Sequence, residues 1–271
     1  MDSIPEQLER VLWKVSQRIP ICIVSSKDFH FISRRAKFAR VLACILGIET
    51  IVLRKCSKEA PNEIEKRSIW DNLNCVKEHY LLPNIEKTLN INSILLSKLV
   101  ENIELEFKDI VMVERKHTSD RKHLAGITID YRHLNDWMLY KNKLEPSLDE
   151  IIQKYRSSSL SKSDIYVQTY RSHPFLDVYA VYCDNGMALD LNAAYILNSK
   201  DKGETNILYL GDSENDNPAF RKASISVGII SDKRLSPKLD CPYLIEYKHL
   251  SEFLGHLVDE KFVFSERLLN L

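Results

Sequence analysis

Glycine is scarce in this chain: seven in 271 residues. Glycine-rich loops of the P-loop or dinucleotide type, which need several glycines at fixed spacing to bring backbone N–H groups against phosphates, are therefore not available, and nucleotide-dependent readings lose ground. Long apolar runs are also missing. None approaches the roughly 20 residues of a membrane span, and Met1-Asp-Ser-Ile-Pro5 lacks the basic and apolar regions of a signal peptide. Charge of one sign is balanced away, because Lys plus Arg and Asp plus Glu number 38 each. No global field steers the protein toward nucleic acid or an anionic membrane, so neither is expected as a partner, and a charged ligand has to be recognised locally. The six cysteines are widely spaced with no C-x-x-C pair, which fits a reducing, cytoplasmic setting. The eight histidines are scattered. His117 and His123 lack a carboxylate or cysteine partner at metal-site spacing and read as surface residues.

What is present begins with an ordinary globular balance, 44% hydrophobic and 28% charged residues, in a length that suits one large or two medium domains. The most informative stretch is Ile207-Leu-Tyr-Leu-Gly-Asp-Ser-Glu-Asn-Asp-Asn217. The apolar run is too short for a helix and turn formers follow at once, so it reads as a buried strand carrying two carboxylates, Asp212 and Asp216, to its C-terminal tip. Open α/β sheets place their ligands there. Oxygen-only ligands suit a hard cation such as Mg²⁺.

The periodicities divide the chain into core, insert and core. Leu8, Val11, Leu12 and Val15 give an amphipathic helix over about 5–17. Ile21-Cys-Ile-Val24 reads as a strand ending in Ser25-Ser-Lys-Asp28, Phe29 to Leu46 as a helix closed by Gly47, and Glu49 to Leu53 as the next strand. Helix, strand, helix, strand implies a parallel sheet. The middle of the chain reads differently: helix 93–107, strands 109–113 and 126–131, helix 134–155, strands 164–169 and 176–180. That αββαββ order is natural for an antiparallel sheet with helices on one face. The α/β pattern returns after Cys183 with a helix near 187–197, the strand leading to Asp212, a helix near 218–222, strands near 223–230 and 240–246, and a covering helix from Leu250 to Leu269. The expected parts are 1–57, 58–181 and 182–271, with the crossing into the insert between Arg54 and Arg67.

This layout, together with Gly211-Asp-Ser-Glu-Asn-Asp216, resembles the haloacid dehalogenase (HAD) phosphatases that carry an αββαββ cap, a group including trehalose-phosphate, sucrose-phosphate and mannosyl-phosphoglycerate phosphatases. The resemblance implies a Rossmann-like α/β core with an inserted α+β cap, and a Mg²⁺-dependent phosphatase of a small phosphorylated metabolite such as a sugar phosphate. It places Asp212 and Asp216 at the metal, with Ser213 and Asn215 as auxiliaries, and Ser25 and Ser26 at the phosphate. The family's lysine falls on Asn185 of Cys183-Asp-Asn-Gly-Met-Ala188, so Asn185 takes that phosphate position with an amide in place of the charge. Arg115, Lys116 and Arg132 stand on the insert's strands, where such caps meet the sugar. The nucleophile's Asp-x-Asp does not precede the helix at Pro5; the family's first strand would lie just upstream of Met1. Three explanations stand side by side: an upstream start, a second chain supplying that strand, or a non-catalytic relative that binds a phosphorylated ligand or a protein partner.

Overall fold

Pro5 and Pro20 bracket the first helix, α1 (Glu6–Arg18), which turns Leu8 and Val15 inward as its apolar spacing requires. The computed structural model describes residues 4–54, 76–158, 165–171, 173–197, 206–231 and 237–269. They fall into two units: Met1–Ser26, His30–Tyr80 and Asp184–Leu271 form the first, and Lys27–Phe29 with Leu81–Cys183 form the second. The expected boundary at 57/58 lies outside the described residues.

In the first unit, β1 (Cys22–Val24) leads through the short α2 (Phe29–Ile32) to β2 (Val41–Cys44), which runs parallel to it with Cys22 opposite Val41. β3 (Glu49–Leu53) returns antiparallel, Val52 opposite Val41, and β4 (Val76–Leu81) completes the order β1-β2-β3-β4. Three sequence expectations fail here, the first being a parallel sheet over these strands, since β3 runs against β1 and β2. The span from Phe29 to Leu46 is not one helix: only Phe29–Ile32 is helical, and Val41–Cys44 is a strand whose residues are all 0% exposed. A tetrad buried on every side carries no period, so pairing with both neighbours decides its conformation. Gly47 is likewise not a helix cap. With Ile45 and Leu46 it forms a turn in which all three residues have positive φ (52°, 55° and 89°), reversing the chain so that β3 pairs antiparallel. A Cβ on Gly47 would lie 2.8 Å from the Ala188 Cβ, so close approach as well as the left-handed conformation calls for glycine.

A second sheet of the same unit has the order β11-β10-β9 and is parallel throughout, built from β9 (Leu208–Gly211), β10 (Ile225–Ile230) and β11 (Tyr243–Glu246). One face packs Val227 and Ile245 against Leu8 of α1 and Phe253, Leu254 and Leu257 of α7 (Leu250–Asp259). Each such large apolar side chain contributes about 1.5–3 kcal/mol on burial. The opposite face packs Tyr209 against Leu189 of α5 (Asn185–Leu197) and Phe220 of α6 (Asn217–Phe220). Val24 of β1 joins this second cluster, and α5 touches β1 and β2 as well as α6. No ladder joins β1 to β9 among the described residues; each is the edge of its own sheet.

The second unit has the αββαββ order that the sequence implies. α3 (Glu86–Glu106) precedes β5 (Met112–His117) and β6 (Leu124–Asp130), and α4 (Trp137–Ser158) precedes β7 (Tyr166–Thr169) and β8 (Phe175–Tyr179). The sheet is antiparallel in the order β5-β6-β8-β7, and α3 packs on it and on α4. Strand alternation gives the sheet two unlike faces. Ile127, Ile129, Leu176 and Val178 are buried on one; Lys116, Thr128, Asp177 and Tyr179 are buried on the other. On that polar face the Lys116 ammonium lies 2.8 Å from Asp177 Oδ1, Thr128 donates to the same oxygen, and the Tyr170 hydroxyl donates to Oδ2 at 2.6 Å. Among the described residues no helix is long and apolar enough to cross a membrane.

Candidate functional site

β9 ends at Gly211, and the chain then tightens into a 3₁₀ turn, Glu214–Asp216, before α6 begins. Ser213 opens the turn in an extended conformation and forms a reciprocal capping box with Asp216. The consequence for Asp216 is that its carboxylate points inward. Oδ2 accepts from the backbone N–H groups of Asp212 (3.0 Å) and Ser213 (3.0 Å) and from the Ser213 hydroxyl (3.2 Å). Oδ1 accepts from the Tyr209 hydroxyl at 2.7 Å and from Asn185 Nδ2 at 2.8 Å. Asp216 is 7% exposed, and these five donors fill the acceptor capacity that ionised oxygens offer.

Asn185 opens α5 behind Asp184, whose side chain accepts from the Met187 N–H at 2.8 Å as an N-cap does. Because the Asn185 amide nitrogen is committed to Asp216, the orientation of the amide is fixed and its Oδ1 is the atom left over. That oxygen is buried with no hydrogen-bond partner among the described residues. A leftover acceptor suits a hydroxyl or water, whereas a phosphate oxygen would be repelled by it. Tyr209 was read from the sequence only as part of an apolar run; its hydroxyl is a working member of this cluster. Burial, then the neighbouring Asp216, pushes its phenol well above the ordinary tyrosine range.

Asp212 is the carboxylate of the pair that faces outward. Loss of hydration among the strand ends, followed by the like charge of Asp216, raises its carboxyl above the usual range. Mg²⁺ takes six oxygens in near-octahedral geometry, commonly from one or two carboxylates plus phosphates and water. With Asp216 saturated, one outward carboxylate remains, and no group of three or more His, Cys, Asp or Glu among the described residues is arranged to hold a metal ion. These residues alone do not make a resident magnesium site.

The remaining sequence candidates are distributed. Ser25 follows Val24, which packs on the Tyr209 cluster, and its N–H donates to Ala43 at 3.0 Å while its carbonyl accepts from Leu46 at 2.9 Å. Ser26 is the next residue, and Asn215 lies within the 3₁₀ turn. In the second unit, alternation sends Arg115 and Lys116 to opposite faces of β5: Arg115 pairs with Glu104 of α3 at 2.7 Å, and Lys116 is held by Asp177. Arg132 bonds Asp130 at 2.6 Å and lies over the Phe175 ring. Lys27, which follows Ser26 in sequence, is grouped with the second unit and pairs there with Glu114.

Gly211 is where the geometry tolerates least change. A Cβ there would stand 2.4 Å from Asp216 Cγ. Gly211→Ala is expected to displace Asp216 and lower stability by about 2–4 kcal/mol, the scale of a buried clash with lost hydrogen bonds; urea unfolding followed by circular dichroism measures it.

No protein-family model matches the sequence, and no curated protein matches it. Solved structures do. A trehalose-6-phosphate phosphatase related protein superposes with a TM-score of 0.58 at 12% identity, covering 96% of this chain and 90% of that one. The C-terminal domain of trehalose-6-phosphate phosphatase from C. albicans gives 0.61 at 15% identity, covering 94% and 85%. A haloacid dehalogenase-like hydrolase from Bacteroides thetaiotaomicron gives 0.56 at 15%, covering 94% and 92%. The fold is that of the HAD phosphatases, an α/β Rossmann-like core with a separate α+β unit.

Proposed function

We propose that this HAD-fold protein binds a small phosphorylated metabolite, of the sugar phosphate kind, without hydrolysing it through the residues described. The observation that carries the reading is the 2.8 Å hydrogen bond from Asn185 to Asp216. The resemblance places a lysine there, whose charge would offset those of phosphate and nucleophile; the amide satisfies Asp216 and supplies no charge. The sequence has no Asp-x-Asp anywhere. Among the described residues, phosphoryl transfer to an aspartate has neither an Asp-x-Asp nucleophile nor a lysine at the Asn185 position, while Ser25, Ser26 and the turn after β9 keep polar groups at strand ends where such ligands sit. Any Mg²⁺ dependence of binding rests in this reading on Asp212.

Trehalose 6-phosphate is the first probe, because trehalose-6-phosphate phosphatase shares this fold. Calorimetry with Mg²⁺ present is expected to show binding, and phosphate release is expected to equal the buffer blank. Asp212→Asn is expected to remove the metal dependence of that binding and weaken it about tenfold or more, the scale of losing a metal-ligand carboxylate. Phosphate release above the blank that disappears in Asp212→Asn would overturn the reading.

The sheet topology favours one alternative. Among the described residues β1 and β9 both end their ladders with unpaired edges beside a shared cluster, so a further strand pairing there would complete the core, and one bearing Asp-x-Asp would supply a nucleophile. The intact mass of the protein from its own cells, and the identity of any chain that copurifies, separates the two readings.

A further inference from the structure

The first unit contains a cavity of about 340 Å³ at the opposite end of β1 from Ser25. Pro20 and Ile21, which enter β1, line it, together with the end of α1, the residues leading into β2, the end of β3 and the start of β4. Five cationic side chains meet there: Arg18, Lys37, Arg40, Arg54 and Lys77. Glu78 is the one carboxylate among the described residues that line it, and it is taken by Lys77 at 2.8 Å and by the Tyr80 hydroxyl. In a chain whose overall charge is zero, this concentration of positive charge is local and concave.

The placement of two of these cations points from charge to ligand. The Arg40 guanidinium donates to the Leu53 carbonyl, which anchors it where β2 and β3 meet and leaves further N–H groups of its fork for an acceptor. Trp13, 4% exposed, forms part of the wall. Arg18 stands in the last turn of α1, where its charge offsets the carbonyl end of the helix and keeps that end from repelling an anion.

We propose that this cavity is a binding site for a compact oligoanion of the diphosphate or triphosphate class, separate from the corner at Asp212. Several cations presented by separate segments match a ligand carrying several charges on tetrahedral groups; a single carboxylate would engage only one of them. The volume holds about ten waters, enough for such a ligand.

The test is calorimetry of the native chain with inorganic pyrophosphate in EDTA, which removes any divalent-metal route to Asp212. One site per chain is expected, with orthophosphate binding about tenfold weaker. Arg18→Gln with Arg54→Gln alters two exposed side chains, so the fold is expected to survive by circular dichroism, and pyrophosphate affinity is expected to fall about tenfold or more, the scale of losing charge-assisted hydrogen bonds. Asp212→Asn is expected to leave it unchanged. Absence of binding to the native chain, equal affinity in the double variant, or loss of binding in Asp212→Asn would each overturn the proposal.

Discussion

Replacing Asp216 with alanine is expected to lower stability by roughly 4–5 kcal/mol, at the upper end for single substitutions. The reason lies in what the carboxylate leaves behind. Tyr209, Asn185, Ser213 and two backbone N–H groups all donate to it, and in the variant these buried donors face a void. The cost is not that of five average hydrogen bonds added together, because the 3₁₀ turn relaxes and water enters at its outer side. Asp216→Asn is the informative companion. It keeps the volume, but its NH₂ has to face donors on one side or the other, so an intermediate loss of about 2–3 kcal/mol is expected. Urea unfolding of both variants checks the order. Asn no more stable than Ala would show that packing, not the hydrogen-bond set, holds the turn.

Asp177→Ala, in the second unit, is expected to cost about 3–5 kcal/mol, because it strands the Lys116 ammonium at 0% exposure without a counter-charge. A double variant, Lys116→Met with Asp177→Leu, is expected to recover part of the loss, since it removes the stranded charge but leaves the buried Thr128 and Tyr170 hydroxyls without their acceptor. Acid tests the same pair. Burial by itself would raise the Asp177 carboxyl, but the Lys116 charge and the hydrogen bonds from Lys116, Thr128 and Tyr170 outweigh it and hold it below the ordinary range. A carboxyl lowered in the folded state contributes stability that is present above its unfolded value, about 3.9, and is lost as pH falls through the folded one. The wild-type unfolding midpoint in urea is therefore expected to drop more steeply below about pH 4 than that of the double variant.

The second unit was legible because its strands alternate and its helices are long. Glu114-Arg-Lys-His117 and Ile127-Thr-Ile-Asp130 carry the period-2 pattern of strands with two different faces. The first unit was harder. Val41-Leu-Ala-Cys44 is apolar throughout, so it continued a helical pattern as readily as it made a strand, and the left-handed turn after it has Ile45 and Leu46 where glycine or asparagine would have signalled a reversal. Asp212 and Asp216 stood out in the sequence because so many acidic and amide residues follow an apolar run. Their division of labour did not. It depends on Tyr209, on the strand that leads to them, and on Asn185, which the start of α5 brings from a segment more than twenty residues earlier in the chain. The basic cavity was invisible for the same reason, its cations coming from segments that share no pattern along the chain.

Among the described residues β1 and β9 are each the unpaired edge of a sheet, the kind of rim along which chains associate at concentration. Cys22-Ile-Val24 and Leu208-Tyr-Leu-Gly211 contain no lysine, proline or inward charge, the gatekeepers by which natural sheets keep an unpaired rim from recruiting a neighbour. Rims of that kind are templates for strand addition, so association that rises with concentration is the expected result by light scattering, and a peptide that pairs with a rim is expected to suppress it.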